Sequence, residues 1–301
     1  MESLYEVSGI SRQAFHEWLL PGRREQNRTP PAQALALAEQ ARSEFLPGSG
    51  ARTLYFFIRN KRPEYSSRLS GWGKHRFEAL CLSNGLRVET RRFVPKTTVR
   101  GDFVYPNRIE GLELDNIDQV WVSDICYLFS VDGKLLGYAT SLLDLYSRML
   151  LGLVFSQSMR ACETAGPVLQ QAFDARRKSL FEGLVFHSDG GKQYIEKHFV
   201  SALRQRNIES SMAESCYENA FAEAFNDTLK NHMLSSTPIH SFHQLKKMEG
   251  FLKHCYNHHK PHSALQNQTP IEFERLLPNL QPCQRTKMLI KPISKNSFEN
   301  R

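Results

Sequence analysis

Leu184-Val185-Phe186-His187-Ser188-Asp189-Gly190-Gly191 opens the stretch that decides the fold, and Tyr217-Glu218-Asn219-Ala220-Phe221-Ala222-Glu223, running on to Lys230, closes it. A short apolar run that ends in an Asp at a Gly-Gly turn reads as a buried strand presenting a carboxylate at a sheet edge. The residues after Asn219 read as a helix, and Glu223, one turn in, can point back at Asp189. A third acid, Asp124, stands in Trp121-Val122-Ser123-Asp124-Ile125. An unpaired carboxylate is costly inside an otherwise apolar strand, so Asp124 needs a cation partner, either a metal ion or an Arg.

Three such acids suit hard divalent cations, which prefer carboxylate oxygens. Two cations held together can activate a nucleophile and steady the leaving oxygen of a phosphodiester. One bridging Asp and one further acid for each ion suffice. On the helix, Glu223, Asp227 and Lys230 fall on one face, so Lys230 either holds a phosphate near the metals or pairs with Asp227. His187, two residues before Asp189, shares its strand face and is either a support to the metal ligands or a satisfied core histidine.

Working outward, residues 119–130, 134–143 and 149–156 have strand composition, with Asp132-Gly133 as a hairpin turn. A helix is expected over 164–178, a strand over 184–186, a helix over 195–206, a short strand over 208–212 and a helix over 220–232. The order β-β-β-α-β-α-β-α predicts an α/β, ribonuclease H-like mixed five-stranded sheet with flanking helices. One further helix is expected over 241–256 with Ser241 as its N-cap, and a short one begins at Thr269-Pro270. Pro278–Arg301 is polar and Pro-containing, and poor order is expected at its end.

Ahead of the sheet the composition changes. Residues 1–110 hold 18 Lys and Arg against 11 Asp and Glu, and so carry most of the +8 net charge of the 301-residue chain. A basic arm on a near-neutral body suggests a polyanion partner. Residues 3–20 form two short amphipathic segments around Gly9, the second capped by Ser11 and led by Arg12 and Gln13. This is the form of a helix-turn-helix, whose second helix meets base edges in the major groove. After a Pro- and Arg-rich linker, helices over 32–45, 51–59 and 73–83 predict a second small all-α helix-turn-helix module, with Arg52, Lys74 and Arg76 as DNA contacts. Residues 88–104 are extended and basic, suited to lie along phosphates. The expected domains are 1–30 (helix-turn-helix and linker), 31–110 (second module and basic linker), 111–275 (catalytic core) and 276–301 (tail).

Six scattered cysteines without a Cys-x-x-Cys pair read as reduced thiols. No signal peptide or long apolar run is present, so a cytoplasmic location without a membrane partner is expected. His254, His258, His259 and His262 beside Cys255 resemble a zinc set, but Pro261 breaks the helix between them, which favours packing or DNA contact.

The motifs together resemble the insertion-sequence DDE transposases, and within them the insertion-sequence-three group, which carries a retroviral-integrase-type core. The residues that carry the likeness are Trp121–Ile125, Asp144-Leu145-Tyr146-Ser147-Arg148, His187–Tyr194, Asn219–Phe225, Leu229-Lys230 and Tyr256–Leu265. The resemblance covers about residues 45–275 and implies Mg2+ chemistry, with Mn2+ as a substitute. By it, Asp124, Asp189 and Glu223 are the catalytic acids and the metal ligands. It also implies cleavage at element ends followed by attack of the freed 3′-OH on target DNA. DNA contacts are expected at Lys192, Lys230 and Lys260.

The likeness further implies terminal-repeat and target DNA as partners, a homo-oligomer, and a nucleoid-associated bacterial protein. Members of the group receive a helix-turn-helix and leucine zipper from an upstream reading frame, and no zipper heptad is present here. Asp189 and Glu223 are 34 positions apart, slightly closer than is usual in the group, and Lys260 stands where an Arg is usual. Two alternatives remain open: a catalytically inactive DNA-binding regulator, and a nuclease of the same fold that does not join strands.

Overall fold

The computed structural model describes residues 28–61, 67–88, 105–130, 132–213, 219–235 and 237–291. Arg12, Gln13, the first helix-turn-helix and most of the basic 88–104 segment lie outside them. The chain divides into two units, one of residues 1–44 and 50–87, the other of 45–49 and 88–301.

In the first unit three helices pack together: α1 (Pro31–Glu44), α2 (Ala51–Lys61) and α3 (Lys74–Ser83). Their contact is apolar, through Ala34, Leu37 and Ala38 of α1, Leu54, Phe57 and Ile58 of α2, and Phe77 and Cys81 of α3. Arg28 caps the Trp72 ring at 5.7 Å, and the Trp72 indole N–H donates to the Thr29 carbonyl at 2.8 Å.

The second unit is built on β2 (Val120–Phe129), β3 (Leu135–Asp144), β4 (Leu150–Ser156), β5 (Val185–Ser188) and β6 (Glu209–Met212). Their spatial order is β4-β3-β2-β5-β6. β2, β3 and β4 pair antiparallel, and β5 and β6 add in parallel, which makes the mixed five-stranded sheet that the element order predicts.

Side-chain alternation along β2 sets the two layers. Trp121 joins Val168, Phe173, Phe199 and Leu203, so helices α4 (Ala165–Arg176) and α5 (Lys197–Arg204) cover one face. Val120, Val122, Cys126 and Leu128 join Ala222, Phe225, Leu252 and Tyr256 on the other. That face is covered by α6 (Ala220–Asp227), which widens into a π-helical turn over Thr228–Met233, and by α8 (Glu249–His258). At Gly152 any Cβ would meet Val168 at 2.5 Å, so α4 sits closer to β4 than a side chain would allow.

Two regions hold structure that the element order did not predict. The helix expected over 241–256 is two, α7 (Phe242–Lys247) and α8, parted at Met248 just before Gly250. Ser241 does cap α7, accepting the Gln244 N–H at 3.3 Å. The tail is built as far as Lys291: after α9 (Pro270–Leu276), β7 (Met288–Leu289) pairs antiparallel with β1 (Glu113–Leu114), and Tyr146 donates to the Thr286 carbonyl at 2.9 Å. Two-residue strands joined across the whole domain leave no periodic signal in sequence.

β4 is an edge strand whose free backbone groups meet side chains instead of another strand. Asn257 bonds both the N–H and the carbonyl of Leu150 at 2.9 Å, and Gln171 does the same for Leu153 at 3.1 Å. Glu249 accepts the Phe155 N–H, Lys246 donates to its carbonyl at 3.0 Å, and Lys253 donates to the Leu151 carbonyl.

Candidate active site

Asp124 lies in the middle of β2, one residue past the pair formed by Ser123 and Ser188 of parallel β5. Asp189 is the first residue after β5 ends, so the two acids occupy neighbouring positions at the same level of the sheet. By alternation, Asp124 shares the face of Val122 and Cys126, and Asp189 that of Val185, which is the side covered by α6. The Gly-Gly turn lets the Asp189 carboxylate fold back and accept the Gly191 N–H at 3.2 Å.

Two asparagines tie α6 to this point. Asn219 donates to the Ser123 carbonyl at 3.1 Å, and Asn226 donates to Asp124 Oδ2 at 2.6 Å. Glu223 lies between them in sequence, exposed. Lys230 also turns to β2, against the Cys126 thiol. In an unbroken α-helix Asp227 would accompany it, but the π turn from Thr228 unwinds the chain and aligns Lys230 with Asn226. Asp227 is exposed and accepts from Asn231, so the expected Glu223–Asp227–Lys230 face is replaced by one of Glu223, Asn226 and Lys230.

The acids repel. Burial, then the Asp189 carboxylate and next that of Glu223, push Asp124 up to about 7, against the pull of the Ile125 N–H and Lys230. Burial raises Asp189 and Glu223 as well. Behind the strand, on the face opposite Asp124, Ser123 Oγ donates to the Ser141 carbonyl at 2.6 Å and sits 3.0 Å from the Tyr194 hydroxyl. Burial and the nearby Asp189 and Asp124 charges hold that phenol well above its usual range.

Among the described residues, no three His, Cys, Asp or Glu side chains stand close enough to enclose an ion. The chemistry of the donors still suits a divalent cation: the Asp189 and Glu223 charges both act on the Asp124 carboxyl, and among the described residues Lys230 is the cation that acts on it. Asp124 forms no ion pair with a core Arg, the arrangement that would have made it structural.

The other expected site residues fall in different places. His187 is a core residue, its Nδ1 2.9 Å from Ser211 Oγ of β6. Lys192 is exposed just past the Gly-Gly turn, and Lys260 is half-buried beyond the end of α8. In the other unit, Arg52 and Arg76 are exposed and Lys74 partly so. His254 stacks on His258 at 4.3 Å with His259 edge-on at 5.0 Å, whereas His262 turns to the Tyr256 ring at 4.9 Å. Asn226 was not anticipated; its signal is an amide one turn beyond Glu223 on the same helix face.

Models of the integrase core domain match residues 116–216 and 205–270. An uncharacterised 31 kDa protein of insertion element IS600 from Shigella sonnei is 30% identical over 274 residues, which is 89% of this chain and 96% of that protein. The chain belongs to the insertion-sequence DDE transposases. The transposase for IS904 of Lactococcus lactis is 28% identical over 161 residues, 52% of this transposase and 62% of that one. The catalytic core of the HTLV-2 integrase, solved in complex with magnesium, aligns with a TM-score of 0.41 and 17% identity over 52% of this transposase and 97% of that chain. Among the described residues of the transposase, no helix is long and apolar enough to cross a membrane.

Proposed function

We propose that this transposase cuts DNA at the ends of its element and joins the freed ends to target DNA, using Asp124, Asp189 and Glu223 as the ligands of divalent cations, Mg2+ first among them. What supports the reading is a buried Asp124 beside the end of β5 that carries Asp189, its carboxyl pushed up to about 7 by burial and by the Asp189 and Glu223 charges. Bound there, the cations would activate the attacking hydroxyl and stabilise the leaving oxygen.

The chain's own groups prepare the site. Asn226 fixes one oxygen of Asp124, and the Gly191 N–H fixes one oxygen of Asp189. Neither carboxylate then has to find its rotamer when the cation arrives. Glu223, exposed on α6, supplies the acid that can swing. Lys230 and Lys192, at the rim, are suited to phosphates of the bound strand. The exposed Arg52 and Arg76 with Lys74, and Arg12 with Gln13 in the segment ahead of them, make the first 100 residues the DNA-docking part, acting on terminal repeats and target in the bacterial cytosol, at the nucleoid.

Work on paired ends calls for a homo-oligomer. A partner from an upstream reading frame, with a helix-turn-helix and zipper, rests on the family resemblance alone.

The test is a Mg2+-dependent cleavage and joining assay on duplexes that carry the element's terminal repeat. Asp124→Asn, Asp189→Asn and Glu223→Gln should each abolish both products while leaving DNA binding measurable. Retained cleavage in any of the three would refute its assignment, and cut but never joined products in the wild type would mark a nuclease instead.

A further inference from the structure

The opposite side of α6 holds a second cluster of polar groups. A cavity of about 190 Å³ lies between α6, the sheet and the chain beyond α8, and Arg148, Lys260 and His262 face it. Arg148 sits in the turn between β3 and β4 at φ 60°, a left-handed conformation rare for a long side chain. Its guanidinium lies 4.5 Å from the centre of the Phe221 ring and 3.6 Å from Met288 Sδ. The Lys260 ammonium meets the Tyr256 ring at 5.9 Å. His262 Nε2 is buried without a hydrogen-bond partner.

Among the described residues none of these three side chains donates to an oxygen. Asp144 also lines the cavity, but both its oxygens are taken, by Arg176, the Asp118 N–H and Ser147. Solvent apart, these guanidinium and ammonium N–H groups have ring and sulfur neighbours, and an oxyanion would give them acceptors along with the buried His262 Nε2. Burial without a facing carboxylate pushes Lys260 down to about 8 and holds His262 well below the usual imidazole range.

We propose that this cavity is an anion site that receives a phosphodiester oxygen of bound DNA, held by Arg148 and Lys260 with His262 as a third donor. The source of the phosphate rests on the transposase reading above. Through Phe221 the site touches the helix that carries Glu223, so a phosphate seated there would also brace that helix.

The experiment compares full-length wild type, Lys260→Met and Lys260→Arg for binding to a terminal-repeat duplex and to an unrelated duplex across about 50–200 mM salt. Loss of one phosphate contact should lower the slope of log affinity against log salt by about 1, equally for both duplexes. Affinity in Lys260→Met should fall about tenfold. Lys260→Arg should keep both. Unchanged slope and affinity in a Lys260→Met protein that still melts cooperatively would overturn the proposal.

If Lys260→Met does not fold, His262→Gln takes its place, with loss of affinity for both duplexes expected and no change overturning the site. In a second arm, millimolar inorganic phosphate is added without DNA. A melting shift that Lys260→Met abolishes, beside an unchanged DNA slope, would assign the cavity to free anions and reject the DNA phosphate. Asp124→Asn should lose cleavage with its slope intact, so failure of the catalytic reading and failure of this site are separate results.

Discussion

Asp124 and Asp144 lie on adjacent antiparallel strands, three residues apart in register, and their surroundings differ in kind. Asp144 is wholly buried, which raises its carboxyl to about 6, but it is answered by a full cation and by hydrogen-bond donors on both oxygens. Its Oδ2 accepts the Asp118 N–H at 2.7 Å and lies 3.3 Å from Arg176, and its Oδ1 accepts the Ser147 N–H and hydroxyl. Arg176 also pairs with Asp118 and Glu274 at 2.6 Å, which knits β3, α4 and α9 together. Asp124 has the Asn226 amide, the Ile125 N–H and the pull of Lys230, and it faces two more acids. A buried acid paired with a core Arg holds the fold. One crowded by its own kind is suited to a further cation.

The largest effect is expected from removing the shared cation. Arg176→Met would leave Asp118, Asp144 and Glu274 buried or nearly so with Lys178 as their remaining partner, at about 3–5 kcal/mol. The sign with pH follows: acids without a counter-charge titrate above their unfolded values, so the variant's stability falls as pH rises. Chemical denaturation should therefore find the loss greatest near pH 8 and smaller near pH 5. A loss that does not vary with pH would mean that Arg176 acts by packing alone.

The reverse holds at Asp124, whose raised carboxyl penalises the folded state above pH 7 and not below about pH 4. In metal-free buffer at pH 8, Asp124→Asn should be more stable than wild type by about 4 kcal/mol at most, shrinking to nothing at pH 4. Excess Mg2+ should erase the advantage by stabilising the wild type alone. A destabilised Asp124→Asn at pH 8 would make Asp124 a structural acid like Asp144 and dissolve the contrast. The smallest effect is expected at Lys253→Met, which strips one donor from the β4 edge and should lower stability by about 1 kcal/mol in urea titrations.

Much of this was legible in the sequence, and for a definite reason. β2, β5 and α6 are each decided by local pattern: β-branched and aromatic runs, a Gly-Gly stop, a helical stretch after Asn219. The acids follow because each sits at a position that those elements fix. What could not be read depends on contact between distant segments. Two partners of Asp144, the Asp118 N–H and Arg176, come from distant segments, and Arg176 is itself held by Glu274. The widening at Thr228 that aims Lys230 at β2 breaks no propensity rule, and the pairing of β1 with β7 joins two-residue strands. Asp124 itself was read with two outcomes open, metal or Arg. The sequence does contain an acid bound to a core Arg, and it is Asp144.

The sheathing of β4 sets a limit on how copies of this chain can meet. With the backbone groups of Leu150, Leu151, Leu153 and Phe155 already matched by side chains from α8, α7 and α4, a neighbour cannot extend the sheet there without evicting five of them. Any ring or pair of subunits that brings two DNA ends together is therefore not joined by strand addition at β4, and of the sheet's two edges β6 is the one not sheathed in this way among the described residues.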